Sequence, residues 1–240
     1  MVPTFKADAA FDGLQSDGRV MLDGALFNAR CSFESAQIKG NFHFRAVRET
    51  GLQPRCSGEF VFHFSAPVSF AELTAGADLR IRRTIFGEAA NFNLAEVHGD
   101  LNLTRTRCDG ECLLSQMSIS GTANFANTHF EQHLSFTESR VSLFNIAEIE
   151  SEHAEFHSVD LTRLSYDRLL GDWRKLFALF ERSLLKRDSQ PDFQSYTQLE
   201  QSLRKAGYDR EADDAYLLPP PRGEQNQKGP AISTPSEGNA

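Results

Sequence analysis

The sequence predicts a mainly β, four-sided β-helix followed by a small α-helical region, and three observations carry that expectation. Bulky apolar residues recur every eleven positions, from Phe86 through Val97, Cys108, Ile119 and Phe130 to Val141. Within each unit, apolar or small residues alternate with polar ones, as at Thr84, Phe86, Glu88, Ala90 and Phe92, and the alternation ends in a step of three to Ala95. The aromatic content is skewed, with 20 Phe against 4 Tyr and 1 Trp. A strict period with apolar residues in fixed slots is the signature of stacked coils. Alternation marks extended backbone with one buried face, and the step of three marks a corner. Phe offers a large ring with no polar tip to satisfy, which suits a narrow interior filled by stacked rings.

The open end of a β-helix exposes strand edges that must be covered, and residues 1–15 are expected to form an N-terminal cap. Repeats then span 16–155. Phe27, Ala29, Cys31, Phe33 and Ala36 are followed eleven places on by Ile38, Gly40, Phe42, Phe44 and Val47. The phase is lost from Glu49 to Gly58, where Gly51, Pro54 and Gly58 predict a loop bulging from a corner. It resumes through Phe64, Ala66, Val68, Phe70 and Leu73. The expected inward column comprises Phe33, Phe44, Phe70, Phe92, Leu103, Leu114, Phe125 and Phe136. Gly99, Gly110 and Gly121 recur at a second corner, where glycine tolerates positive φ. Two eleven-residue units make one coil, so about six coils spaced ~4.8 Å apart give a rod of order 30 Å.

After Ile149 the pattern gives way to helical periodicity, and a helical cap or hairpin region is expected over 160–218. Trp173, Leu176, Phe177, Phe180 and Leu184 lie on one helical face, with Asp172 placed to cap the first turn. That helix, to Lys186, has an apolar face fit to close the second end of the rod. Pro191 opens another helix carrying Phe193, Tyr196, Leu199 and Leu203, and Gly207 ends it. Asp209 starts a third, through Ala212, Ala215 and Tyr216, which Pro219 stops. Residues 219–240, rich in Pro, Gly, Ser and Gln, read as a disordered tail.

Ala90-Asn91-Phe92-Asn93-Leu94 followed by Ala95-Glu96-Val97-His98-Gly99 resembles the bacterial pentapeptide-repeat proteins, as does Gly121-Thr122-Ala123-Asn124-Phe125. The resemblance implies a right-handed quadrilateral β-helix, with the small residue and the central Leu or Phe pointing inward. This sequence departs from a pure five-residue count by adding one residue to most pairs of repeats. Tyr196, Leu199, Leu203, Gly207, Ala212 and Tyr216 also lie in a segment similar to the helices that follow such repeats in some bacterial proteins, often ahead of a membrane segment. Here a Pro-rich tail follows instead.

A net charge of −8 argues against a general nucleic-acid binder, which needs a basic face, so no direct nucleic-acid contact is expected. Cys31, Cys108 and Cys112 fall in apolar slots and read as small buried hydrophobes. No CxxC pair occurs, the N-terminus lacks the apolar core of a signal peptide, and no apolar run reaches the length of a membrane span. A cytoplasmic protein without a transmembrane segment is the expectation.

The sequence holds no GxSxG, P-loop or dinucleotide fingerprint. His129 and His133, like His153 and His157, are four apart, a spacing that joins one metal only on a helix. Asp109 with Glu111, and Glu148 with Glu150, alternate on strand faces, yet a convex rod has no cleft in which to desolvate them. No catalytic residue, metal or cofactor is expected. Two charged groups stand out as interaction surfaces. Arg83 and Arg105 are two repeat units apart and so stack one coil later, with Arg82 and Arg107 close by. Glu148, Glu150 and Glu152 form an acidic run where rod meets helices.

Every repeated residue is spent on stacking, which favours a non-catalytic scaffold presenting a rod surface to a protein partner. Two alternatives are a DNA-mimic gyrase (topoisomerase) inhibitor or protector, a role the resemblance implies, and a membrane-associated pentapeptide-repeat protein cut before its membrane segment. A homodimer is compatible with either of the first two readings.

Overall fold

Short strands pair in parallel, each with the strand one coil away, and the pairing builds four faces. The computed structural model describes residues 4–45, 62–145, 158–171, 193–205 and 207–217. The first coil holds β1 (Thr4–Phe5), β2 (Ala9–Ala10), β3 (Gln15–Ser16) and β4 (Val20–Asp23). The second holds β5 (Leu26–Phe27), β6 (Cys31–Ser32), β7 (Gln37–Ile38) and β8 (Phe42–Arg45). The third holds β9 (Phe62–Phe64), β10 (Val68–Ser69), β11 (Thr74–Ala75) and β12 (Leu79–Ile81). The fourth holds β13 (Thr84–Phe86), β14 (Ala90–Asn91), β15 (Glu96–Val97) and β16 (Leu101–Asn102). In the fifth, β17 (Arg107–Cys108) and β18 (Cys112–Leu113) precede β19 (Ser118–Asn124), which rounds a corner and pairs on two faces. The sixth repeats this with β20 (His129–Phe130), β21 (His133–Ser135) and β22 (Arg140–Asn145). A partial seventh holds β23 (Ser158–Asp160) and β24 (Ser165–Leu170).

The register shows where the chain takes in extra residues. Ala9 pairs with Cys31, Val68 with Ala90 and Ala90 with Cys112, each pair separated by two eleven-residue units. Cys31, by contrast, pairs with Val68, more than three units on, so an insertion lies between β8 and β9. That interval contains the loop expected around Pro54, which itself lies outside the described residues. Leu134 pairs with Val159, three places beyond the regular interval, while Thr122 pairs with Leu143, one place short of it. The strict eleven-residue count therefore fails near Ile149 because the register changes, and the coils continue. Strands run to Leu170, past the boundary expected at residue 155 and into the span assigned to helices. At the other end, residues 4–15 form β1, β2 and the start of β3 in the first coil instead of a separate cap.

Each step of three in the sequence is a four-residue turn. The N–H of Ala36 donates to the Phe33 carbonyl at 3.2 Å, Leu73 to Phe70 at 3.2 Å and Ala95 to Phe92 at 3.1 Å. The third residue of these turns has positive φ, as a type II turn requires: Ser35 (55°), Glu72 (57°) and Leu94 (63°), followed by Gln116, Glu138 and Arg163. A second corner repeats the conformation at Arg83, Arg105 and Asn127. A left-handed non-glycine residue costs about 1–2 kcal/mol. Here it is held because its N–H donates to the next coil, as from Leu94 to Ser115 at 2.9 Å and from Gln116 to Thr137 at 2.7 Å. The repeated glycines have another purpose than the one expected of them, since none of Gly99, Gly110 and Gly121 has positive φ. A Cβ on Gly121 would stand 2.6 Å from the Gly99 carbonyl oxygen, so close approach of successive coils excludes a side chain.

The interior is phenylalanine-rich as far as Phe92. Phe5, Phe27, Phe64 and Phe86 form one ladder, with centroids 4.7, 5.3 and 5.4 Å apart. Phe11, Phe33, Phe70 and Phe92 form a second, at 4.9, 5.4 and 4.8 Å. Phe33, Phe44, Phe70, Phe92, Leu103, Leu114, Phe125 and Phe136 are all buried. Burial first, and Asp12 second, push the Cys31 thiol up to about 12. Burial and contact with Cys112 likewise raise Cys108. These buried thiols stay neutral and are poor nucleophiles.

At the C-terminal end, α1 (Phe193–Lys205) and α2 (Asp209–Leu217) form a hairpin. Gly207 closes α1 with φ +81°, as its sequence position predicts. Leu199, Leu203 and Ala212 are buried within the main apolar cluster. Gln198 donates its amide to the Tyr166 carbonyl, tying α1 to β24. The helix expected over 172–186, with Trp173 and Phe180, and the tail over 219–240 lie outside the described residues.

Candidate functional site

Among the described residues, the third face carries a concave surface with polar lining. Gln15, Gln37, Thr74 and Glu96 occupy successive coils in strict register on β3, β7, β11 and β15. Two positions on, the column reads Asp17, Lys39, Gly76 and His98. Gly76 carries no side chain between Lys39 and His98, because a Cβ there would stand 2.4 Å from the Lys39 carbonyl oxygen and close approach of the coils excludes it. The result is a recess of about 450 Å³ lined by Gln15, Ser16, Gln37, Thr74, Lys39 and His98, with Asp17 at its edge. Lys39 pairs with Asp17 at 2.7 Å, and His98 approaches Glu96 at 3.9 Å. Both pairs are well exposed, so each contributes at most ~1 kcal/mol and opens readily to a competing group. Amides, a hydroxyl and a cation offer donors and acceptors along an extended line.

Sequence reasoning missed this recess because Gly76 joins the column of Lys39 and His98 only after the insertion between β8 and β9 is removed. The column was present in the sequence as Gln15, Gln37, Thr74 and Glu96, but the step from Gln37 to Thr74 breaks its even spacing.

The expected arginine patch is partly assembled. Arg83 and Arg105 do stack at one corner, both in the left-handed region, and their N–H groups donate to Thr104 at 3.1 Å and Ala126 at 3.0 Å. Arg82 turns its Nε to the Thr104 hydroxyl at 3.1 Å. Arg107 leaves the group for the acids beside it, bonding Asp109 and reaching Glu131 at 3.2 Å. His129, one coil above Arg107, joins Glu131 at 2.9 Å. Asp109 is thereby bound to a guanidinium. His129 and His133 stand on different strands, and no group of three or more described His, Cys, Asp or Glu is placed to hold a metal ion. Glu148, Glu150, Glu152, His153 and His157 lie outside the described residues.

Charges of both signs interleave on the described faces. Arg80 meets Asp78 at 2.6 Å, and Arg163 meets Glu138 at 2.8 Å. On the fourth face, the Asn41 and Asp78 side chains each accept the N–H of the residue one coil on, at 3.0 Å, and Asp100 accepts that of Thr122 at 2.7 Å. Burial opposes ionisation of Asp78, but the Asp100 N–H, Arg80 and His43 outweigh it and hold the carboxyl below its ordinary value. These acids stitch coils together and do not form a continuous negative stripe.

No helix among the described residues is long and apolar enough to cross a membrane. Comparison with protein-family models, with curated proteins and with solved structures found no match to this chain.

Proposed function

We propose that this protein is a non-catalytic interaction scaffold of the pentapeptide-repeat type, whose third face binds an extended segment of a protein partner. The observation that carries this reading is the recess at Gly76, the place where the outward columns break their own regularity. A peptide laid along Gln15, Gln37 and Thr74 meets a hydrogen-bonding group at every coil, spaced ~4.8 Å apart. The pentapeptide-repeat assignment draws support from the four-sided coil, the type II corners and the inward Phe or Leu of each repeat. Buried reduced thiols at Cys31, Cys108 and Cys112 suit a reducing compartment such as the cytoplasm. The interleaved ion pairs favour this reading over gyrase inhibition by nucleic-acid mimicry, which calls for uniform negative charge.

The test is a binding comparison on full-length protein. Immobilised wild type and the control Arg82→Ala should retain the same partner, and the recess-filling double variant Gln37→Arg/Thr74→Arg should lose it at an unchanged melting temperature. Equal binding by the double variant removes the third face from the proposal.

A further inference from the structure

Among the described residues, the N-terminal end of the rod presents four sheet edges at once. β1 ends the first sheet, β2 ends the second, and β3 and β4 are the two ends of the eleven-stranded order. Phe5 and Phe11, the terminal rings of the two ladders, are only half-buried, as are Ala9, Leu14, Val20 and Leu22. An apolar end ringed by edge strands is a template for pairing with another chain.

The charges of this coil have a self-complementary order. Lys6 and Asp8 flank Ala7, and Asp17 and Arg19 flank Gly18. Ala7 and Gly18 are one eleven-residue unit apart, half of a coil, and therefore occupy opposite corners. We propose that this end is the interface of a homodimer, in which a second copy docks end to end about a two-fold axis running through those two corners.

A two-fold across the rod reverses the sense of the partner's coil, so the edges meet antiparallel, β1 against the partner's β2 and β3 against the partner's β4. In an antiparallel pair centred on Ala7, Lys6 faces the partner's Asp8, and about Gly18, Asp17 faces the partner's Arg19. Symmetry makes each contact twice, as an isologous interface requires. Inside the ring of charges, the same axis sets bulky Phe5 over the partner's small Ala9, and Leu14 over the partner's Leu22. One coil supplies about 20 residues a side, the lower limit for a specific interface, so the dimer is a weak one. The proposal does not rest on the third-face reading, although Gln15, Ser16 and Asp17 line the recess as well as belonging to this end.

Sedimentation equilibrium on untagged full-length protein should show a monomer–dimer equilibrium. Lys6→Asp or Asp8→Lys each opposes like charges twice, and either should weaken dimerisation roughly tenfold. Lys6 is exposed, so Lys6→Asp should melt with the wild type, whereas Asp8 also accepts the Arg30 N–H one coil on at 3.2 Å, so Asp8→Lys should melt slightly below it yet remain folded. Mixing them should restore association, because every cross-contact then sets Asp against Lys. Three results would overturn the proposal: a wild type monomeric at all concentrations, as when another segment of the chain covers this end; a dimer indifferent to both substitutions; or a mixture no tighter than its components.

Discussion

The rod before Phe92 and the rod beyond it share one outline and fill it differently. Up to Phe92, two stacked phenylalanine ladders run along the axis, with Phe42 and Phe44 set edge-on beside them and Phe62 tilted against Phe27 and Phe64. Between Phe92 and Phe125 the chain contains no Phe, Tyr or Trp, and Leu101, Leu103, Cys108, Leu114, Met117 and Ile119 help to fill the interior. Rings then return, but Phe125, Phe136 and Phe144 meet edge to face. Beyond Phe92, buried hydroxyls also reach back one coil, Thr106 to the Ile81 carbonyl at 2.9 Å and Thr128 to Leu103 at 2.7 Å. The backbone ladder and the corner turns thus set the shape, and the interior slots ask only for apolar volume. Cores tolerate such exchange when total volume is kept.

A handful of substitutions probe that contrast. Phe125→Asp has the largest expected effect, since a carboxylate in a dry interior has no partner, and far-UV circular dichroism should show loss of the β signal. An intact spectrum means the side chain does not point inward. Phe70→Leu removes a ring stacked on Phe33 and Phe92 and edge-on to Phe42, Phe44 and Phe64, so urea unfolding should register a loss of about 2–3 kcal/mol. Phe136→Leu, whose ring meets Phe125 and Phe144, should lose roughly 1 kcal/mol. Equal losses would mean that stacking adds nothing beyond burial. Thr128→Val strands the Leu103 carbonyl and should cost about 1 kcal/mol in the same assay. The smallest effect has the opposite sign. Leu94, 49% exposed at φ +63°, holds a conformation that asparagine tolerates better, and Leu94→Asn should raise stability measurably in the same urea series.

Most of the architecture was legible because period and burial obey the same alternation. Phe33, Phe92 and Leu114 could be placed inward from spacing alone, and the hairpin was readable from Pro191, Gly207 and Pro219. The first coil was readable too, since Phe5 and Phe11 precede Phe27 and Phe33 by one coil, but its half-exposed slots at Ala9 and Leu14 hide the alternation. The seventh coil was hidden by the uneven offsets on either side of β22. The corner chemistry was misattributed because positive φ is normally a glycine property. Here residues such as Ser35, Glu72 and Leu94 take it, while glycine answers a steric demand. The recess was least legible, being an absence of side chain visible only across a discontinuous register.

The insertion admitted between β8 and β9 has a consequence for how such a rod can vary. Pairing resumes beyond it with every face in place, so a corner accepts extra chain without altering the solenoid. Changes within a strand face a different rule, because a one-residue shift sets inward residues facing out unless an irregularity absorbs it, as between Ile119 and Thr122. Overall length is therefore adjustable only in increments of one coil, ~4.8 Å each, while peripheral decoration can take any size. The molecule behaves as a graduated ruler whose markings are fixed and whose attachments are not.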